Sequence, residues 1–206
     1  ALVSDAGTPL ISDPGYKLVV EALEENVPVV PLPGPSAPTA ALMSSGLPPD
    51  KYFFGGFLPS GGANRKRALN ELTTISVTII VLESPRKLGA TLKDLYSALG
   101  DRKATLAREL TKLHEHIERG GLAQLAERYQ SKSENPRGEL AIVIGPPTTQ
   151  QLESLLRAQL EEVTEPLRLA LEHMNTKSAV QYMANSTGLS KRVLYKRALE
   201  LKKIKE

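Results

Sequence analysis

ALVSDAGTPLISDPG, residues 1–15, decides how the fold is read. ALVS at 1–4 is predicted to be a short apolar strand, which breaks into a loop dense in Gly, Pro, Asp and Ser. Such a loop exposes main-chain amides and carbonyls at a strand's carboxyl end, where open α/β sheets bind ligands. A second stretch of this kind, PLPGPSAPTAAL at 31–42, follows a predicted strand VPVVPL at 27–32 and enters a predicted helix of small residues over 35–46. Glycines at 7, 15 and 34 permit backbone approaches that a side chain would block. Two such loops on adjacent strands make a crevice lined by peptide groups. The same composition also suits ordinary strand-to-helix connections.

Working outward, Asp13-Pro14 is predicted to open a helix, with Asp as N-cap and Pro in the first helical position. Pro48-Pro49 marks a domain boundary. KYFFGGFL at 51–58 is a strand interrupted by two glycines, and SGGANRKR at 60–67 is a flexible basic loop entering a helix. VTIIVL at 77–82 is a continuous apolar run, as expected of a strand covered on both faces. A helix follows near 86–99; ATLARELT at 104–111 and ELAIVIG at 139–145 are further strands, separated by a helix near 121–130 and a polar loop at 131–138. After Pro146-Pro147 the pattern is wholly helical. The prediction is an α/β body with a helical tail, divided as 1–48, 49–147 and 148–206.

The composition excludes several classes. There is no Cys, so disulfides and thiolate metal sites are out, as suits a cytoplasmic protein. No run has signal-peptide character or transmembrane length, so no membrane partner is expected. A hydrophobic content of 41% with only 4% aromatics implies an aliphatic core. The net charge of +3 is modest, but after residue 189 seven Lys or Arg face two Glu. No P-loop, GxGxxG, HExxH or GxSxG motif occurs. His114 and His116 read as a solvated strand end or loop rather than a metal set.

Charged residues at predicted strand ends, Glu83, Arg86, Arg108, Glu109 and Lys112, are candidates for proton transfer or for holding phosphate. They are equally suited to structural ion pairs, Glu83 with Arg86 and Arg108 with Glu109. In the tail, TKSAVQYMANSTGLSKRVLYKRAL at 176–199 has two helical patterns about Thr187-Gly188, the spacing of a helix-turn-helix. Ala179, Val180, Met183 and Ala184 face inward from the first helix, and Leu189, Val193, Leu194 and Ala198 from the second. The second helix displays Lys191, Arg192, Lys196 and Arg197. With Arg65, Lys66 and Arg67 these are the candidate nucleic-acid contacts, the alternative being a solvated basic helix.

The chain resembles the small-subunit ribosomal RNA methyltransferase I family, a branch of the tetrapyrrole-methylase superfamily. The matching stretches are VSDAGTPLISDPGY (3–16), VVPLPGPSAPTAALMSSGLP (29–48), FFGGFLP (53–59), ESPRKL (83–88), ARELTK (107–112), GEL (138–140) and KRVLYKRALE (191–200), in the family's order. The resemblance implies S-adenosylmethionine-dependent 2′-O-methylation of a cytidine in the decoding region of 16S rRNA, with free rRNA or the small ribosomal subunit as partner and a homodimer as assembly. It implies a two-domain α/β fold with the methyl donor in the cleft. Asp5, Ala6, Gly7, Thr8 and Pro9 would lie against the cofactor, Ser36 and Ala37 near its adenosine or methionine part, and Leu82 and the end of strand 139–145 on the other side. The family's motifs begin with a strand and a TPIGNL-like loop, so the expectation is that much of the first domain is absent. The competing readings are a corrin-pathway methylase and a non-catalytic helix-turn-helix binder.

Overall fold

Five strands form one mixed sheet in the order β1-β2-β5-β3-β4. The computed structural model describes residues 1–5, 7–130 and 138–203. The strands are β1 (Tyr52–Phe57), β2 (Thr78–Glu83), β3 (Lys103–Arg108), β4 (His116–Gly121) and β5 (Leu140–Ile144). β1 runs parallel to β2, whereas β5 is antiparallel to both β2 and β3, and β4 is antiparallel to β3. The apolar runs TIIVLE and LAIVI take central positions, and all five residues of β5 are buried. The two glycines in β1 do not end that strand; they place a register irregularity between Phe54 and Gly56.

Side chains alternate across this sheet with period two. Ile79, Val81, Leu106 and Ile142 face one layer, where they meet Leu92 and Leu95 of α4 (Leu88–Leu99) and Leu122 and Leu125 of α5 (Leu122–Arg128). Leu92 and Leu95 are fully buried, and each such burial contributes about 1.5–3 kcal/mol. A Cβ at Gly89 in α4 would collide with the Tyr129 carbonyl, so the α4–α5 approach depends on the missing side chain. The Asp101 carboxylate accepts the Ala123 amide at 2.9 Å and caps the start of α5. On the opposite face, Ile80, Ala107, Ala141 and Val143 pack against Ala41 and Leu42 of α2 (Ala37–Ser45). The rear of α2 is held firmly: the Ser45 carbonyl accepts from Thr105 Oγ1 at 3.1 Å and Arg119 Nε at 3.2 Å. Arg119 also donates to the Ser44 carbonyl.

Several expectations fail here. Residues 1–4 and 27–32 are not strands. Neither segment finds a ladder partner among the described residues, and apolar character without a partner does not make a strand; Val3, Val30 and Leu32 are 82%, 76% and 84% exposed. The first helix, α1 (Tyr16–Glu24), starts at Gly15 rather than at Asp13-Pro14. Residues 60–67 are not a flexible loop beyond their first two positions, because α3 (Gly62–Thr73) begins there. Strand β4 went unpredicted: HIERGG is polar, ends in two glycines and pairs on one side only. The polar stretch 131–138 lies outside the described residues except for Gly138, as does Ala6.

The backbone separates into two units, Ala1–Pro147 and Thr148–Glu206. The second is α6 (Thr149–His173), α7 (Thr176–Thr187) and α8 (Lys191–Lys203). Thr148 and Gln151 form a reciprocal capping box at the start of α6, and the Asn175 side chain accepts the Ser178 amide to cap α7. Ala179, Val180 and Met183 of α7 and Leu194 and Ala198 of α8 bury against Leu167 of α6, with Ala184 partly buried beside them. Leu189 is also buried, whereas Val193 is only half-buried. No helix among the described residues is long and apolar enough to cross a membrane.

Candidate functional site

Antiparallel β5 brings Leu140 beside Glu83 at the end of β2 and beside Arg108 at the end of β3. The carboxyl ends of β2 and β3 and the start of β5 thus share one end of the sheet. A cavity of about 350 Å³ opens there. Leu82, Ala107 and Ala141 form its floor, and Ser36, Ala37 and Pro38 at the front of α2 form one wall. Gly7, Thr8 and Ile11–Asp13 close it from the first loop. The two loops are tied together: Thr8 Oγ1 donates to the Pro35 carbonyl at 2.7 Å.

The expected cofactor residues Gly7, Thr8, Ser36, Ala37 and Leu82 all line this cavity, while Asp5 and Pro9 are not in its lining and Ala6 is outside the described residues. Ser36 is the N-cap of α2 but makes no side-chain cap bond. Pro38 has no amide hydrogen and the Ala40 amide bonds the Ser36 carbonyl, so the Ala37 and Thr39 amides remain available to acceptor atoms of a ligand. A cavity of about 350 Å³ falls in the range of roughly 300–1,000 Å³ usual for small-molecule sites. Its size, peptide-rich wall and aliphatic floor fit a nucleoside-type cofactor.

The charged candidates divide. Glu83 lines the cavity yet is 5% exposed. It shares its sheet face with Val81, not with Leu82, and its carboxylate accepts from the Ser84 amide at 2.7 Å and from Thr91 Oγ1 of α4 at 2.6 Å. Arg86 is exposed in the one-turn 3₁₀ helix Pro85–Lys87. Arg108 is half-buried, with a buried Nε that has no hydrogen-bond partner among the described residues. Glu109 reaches across the strand ends: its Oε1 accepts the Glu139 amide at 3.0 Å and Lys112 Nζ at 3.1 Å. The Glu139 amide, then Lys112, holds the Glu109 carboxyl below its ordinary range. Lys112 is raised in turn, chiefly by its hydrogen bond to Glu109. Glu109 and Lys112 are not in the cavity lining, whereas Gly138 and Glu139 are. Gly138 and Glu139 belong to the GEL stretch of the family resemblance, and with Leu140 and Ala141 they bring the start of the strand predicted at 139–145 into the lining.

The basic candidates divide as well. Lys191, Arg192 and Lys196 are exposed on α8. Arg197 is half-buried, its Nε donating to Thr164 Oγ1 at 3.0 Å and its guanidinium pairing with Glu200 at 3.1 Å. Lys66 and Arg67 are exposed on α3. Arg65 is turned inward with a side chain 12% exposed, and it pairs with Asp94 at 2.7 Å.

Comparison with known proteins agrees with this architecture. Residues 1–126 match the Tetrapyrrole (Corrin/Porphyrin) Methylases, and residues 150–202 match the RsmI C-terminal HTH domain. Proteins named ribosomal RNA small subunit methyltransferase I are similar over nearly the whole chain. That of Mesorhizobium japonicum is 45% identical over 206 residues, covering 98% of this chain and 67% of the relative. That of Synechocystis sp. is 43% identical, covering 98% and 71%, and that of Vibrio cholerae 41%, covering 97% and 68%. Among solved structures, a conserved hypothetical protein from Aeropyrum pernix aligns with TM-score 0.52 and 21% identity over 74% of this chain and 60% of its own. The methyltransferase CobJ aligns with TM-score 0.50 and 18% identity over 68% and 62%. These two likenesses speak to the fold alone. With sequence identity above 40% to relatives of which it spans two thirds, the chain belongs to the ribosomal RNA small subunit methyltransferase I family, S-adenosylmethionine-dependent methyltransferases on a tetrapyrrole-methylase fold.

Proposed function

We propose that this chain takes part in S-adenosylmethionine-dependent methylation of small-subunit rRNA, at the 2′-oxygen of a cytidine in the decoding region. The cavity at the strand ends, closed by two loops that Thr8 ties together, carries this reading. Residues 1–48 belong to a cofactor domain, 49–147 to a second α/β domain and 148–206 to an RNA-facing unit, working as a homodimer. The bound cofactor supplies an electrophilic methyl group. Gly7, Thr8 and the front of α2 would hold it, and the aliphatic side chains of Leu82, Ala107 and Ala141 would exclude water. Transfer then depends on aligning the ribose oxygen with that methyl at close range.

The charged residues have different aptitudes. A carboxylate held below its ordinary range is a weakened base, so Glu109 serves to brace the strand ends rather than to take the ribose proton. Lys112, raised, stays cationic and suits a phosphate, as do exposed Arg86, Lys191, Arg192 and Lys196. The test is transfer of label from methyl-labelled S-adenosylmethionine to 16S rRNA or to small subunits. Label is expected in a nucleotide whose 3′ linkage resists alkali, because a methylated 2′-oxygen cannot attack the neighbouring phosphate. Label on a base, or on a tetrapyrrole and not on RNA, would overturn the proposal.

A further inference from the structure

Arg65 belongs by sequence to a basic triplet, yet its guanidinium is spent inside the protein. Its Nε meets Asp94 at 2.7 Å, one terminal nitrogen donates to the Pro59 carbonyl at 2.9 Å, and the other donates to Thr91 Oγ1 at 2.9 Å. Thr91 is fully buried. A guanidinium only donates, so the Thr91 oxygen must accept from it, and the single hydroxyl proton is left for Glu83 Oε2 at 2.6 Å. The other carboxylate oxygen of Glu83 accepts the Ser84 amide at 2.7 Å and Ser84 Oγ at 3.3 Å. Ser84 and Pro85 line the cavity, and the Lys87 amide closes the turn on the Ser84 carbonyl at 3.1 Å.

We infer that Arg65, Thr91 and Glu83 form a directed hydrogen-bond relay that positions the Ser84-Pro85 wall of the cofactor cavity. The relay gives the buried carboxylate a fixed set of neutral donors, Ser84 and Thr91. Each bond polarises the next, so the chain holds its geometry better than its separate links would. Arg65 and Thr91 are not in the cavity lining; they act through Glu83 and are positioning residues. The inference rests on the cavity being the cofactor site.

The test measures S-adenosylhomocysteine affinity by calorimetry, alongside melting temperature, for the parent protein and for Arg65→Gln, Thr91→Val and Thr91→Ser. Losing a hydrogen bond to a charged group should weaken affinity roughly tenfold in Arg65→Gln and in Thr91→Val. Thr91→Ser keeps the hydroxyl and should stay within about twofold of the parent, well inside the effect of a lost bond. Arg65→Gln stays informative if Thr91→Val fails to fold, because Arg65 lies nearer the surface. Lowered melting temperatures with unchanged affinity would reduce the relay to a brace between helices and overturn the inference. A parent protein that binds no S-adenosylhomocysteine would remove the cofactor reading itself, and this inference with it.

Discussion

Thr8 Oγ1 lies 2.7 Å from the Pro35 carbonyl oxygen and donates to it across 27 residues of sequence. This bond joins the two loops whose approach forms the cavity mouth. Thr8→Val should weaken S-adenosylhomocysteine binding by about threefold to tenfold, the worth of one net hydrogen bond. Thr8→Ser should bind as the parent does. Calorimetric titration of the three proteins decides it, and equal affinities would mean that the loops are held by other means.

Gly138 has φ +91, and a Cβ there would overlap the Glu109 carboxylate. Gly138→Ala should therefore expel Glu109 from the Glu139 amide and destabilise the sheet edge by about 1–3 kcal/mol, the usual range for a strained backbone position. Chemical denaturation midpoints measure this. An unchanged midpoint would show that Glu109 contributes nothing to joining β3 and β5.

The Glu109–Lys112 pair predicts a pH signature. Glu109 is depressed from its ordinary 4.5, so its contribution is complete above that value and is lost as pH falls through the lower folded value. Lys112 is raised from 10.5, so its contribution is complete below that value and is lost as pH rises through the higher folded value. Glu109→Gln should be less stable than the parent at neutral pH, and the difference should close in acid below 4.5. A difference that persists undiminished in acid would refute the pairing.

On α8, replacing exposed Lys191, Arg192 and Lys196 by Ala should weaken RNA binding and lower its log–log salt slope by roughly 0.7–0.9 per lost phosphate contact. Arg197→Ala should behave differently, because its guanidinium is bonded to Thr164 and Glu200. It should cost about 1 kcal/mol of stability and leave the salt slope nearly intact. Filter binding across a salt series separates the two classes. An Arg197 effect on slope equal to the others would place it on the RNA.

The elements legible in sequence were those with strong apolar runs or clean helical spacing. TIIVLE, LAIVI and the paired helices of the tail read correctly because burial on both faces, or on one helical stripe, leaves a periodic mark. The loops around Gly7 and Ser36, whose Gly and Pro content suits a ligand crevice and an ordinary connection alike, do line one cavity, although neither follows a strand. VPVVPL was misread because a strand is a property of a pair, and its partner is not encoded in its own residues. β4 was hidden for the opposite reason: its polar residues make their pairs locally, Glu118 with Arg128 at 2.7 Å and with the Tyr129 hydroxyl at 2.8 Å. Arg65 shows the limit of counting charges, since whether a basic residue faces water or a buried threonine depends on where α3 starts.

Helix α2 has nine residues and so measures about 13.5 Å from end to end. Its rear carbonyls are clamped by Thr105 and Arg119, while its front, which lines the cavity, has no side-chain cap. It is a cantilever, built into the sheet at one end and carrying its load at the other. A small rotation at the clamp becomes a larger displacement at the tip. The aim of the amides at the front of α2 is thus set from β3 and β4, by Thr105 and Arg119, which are not part of the cavity lining.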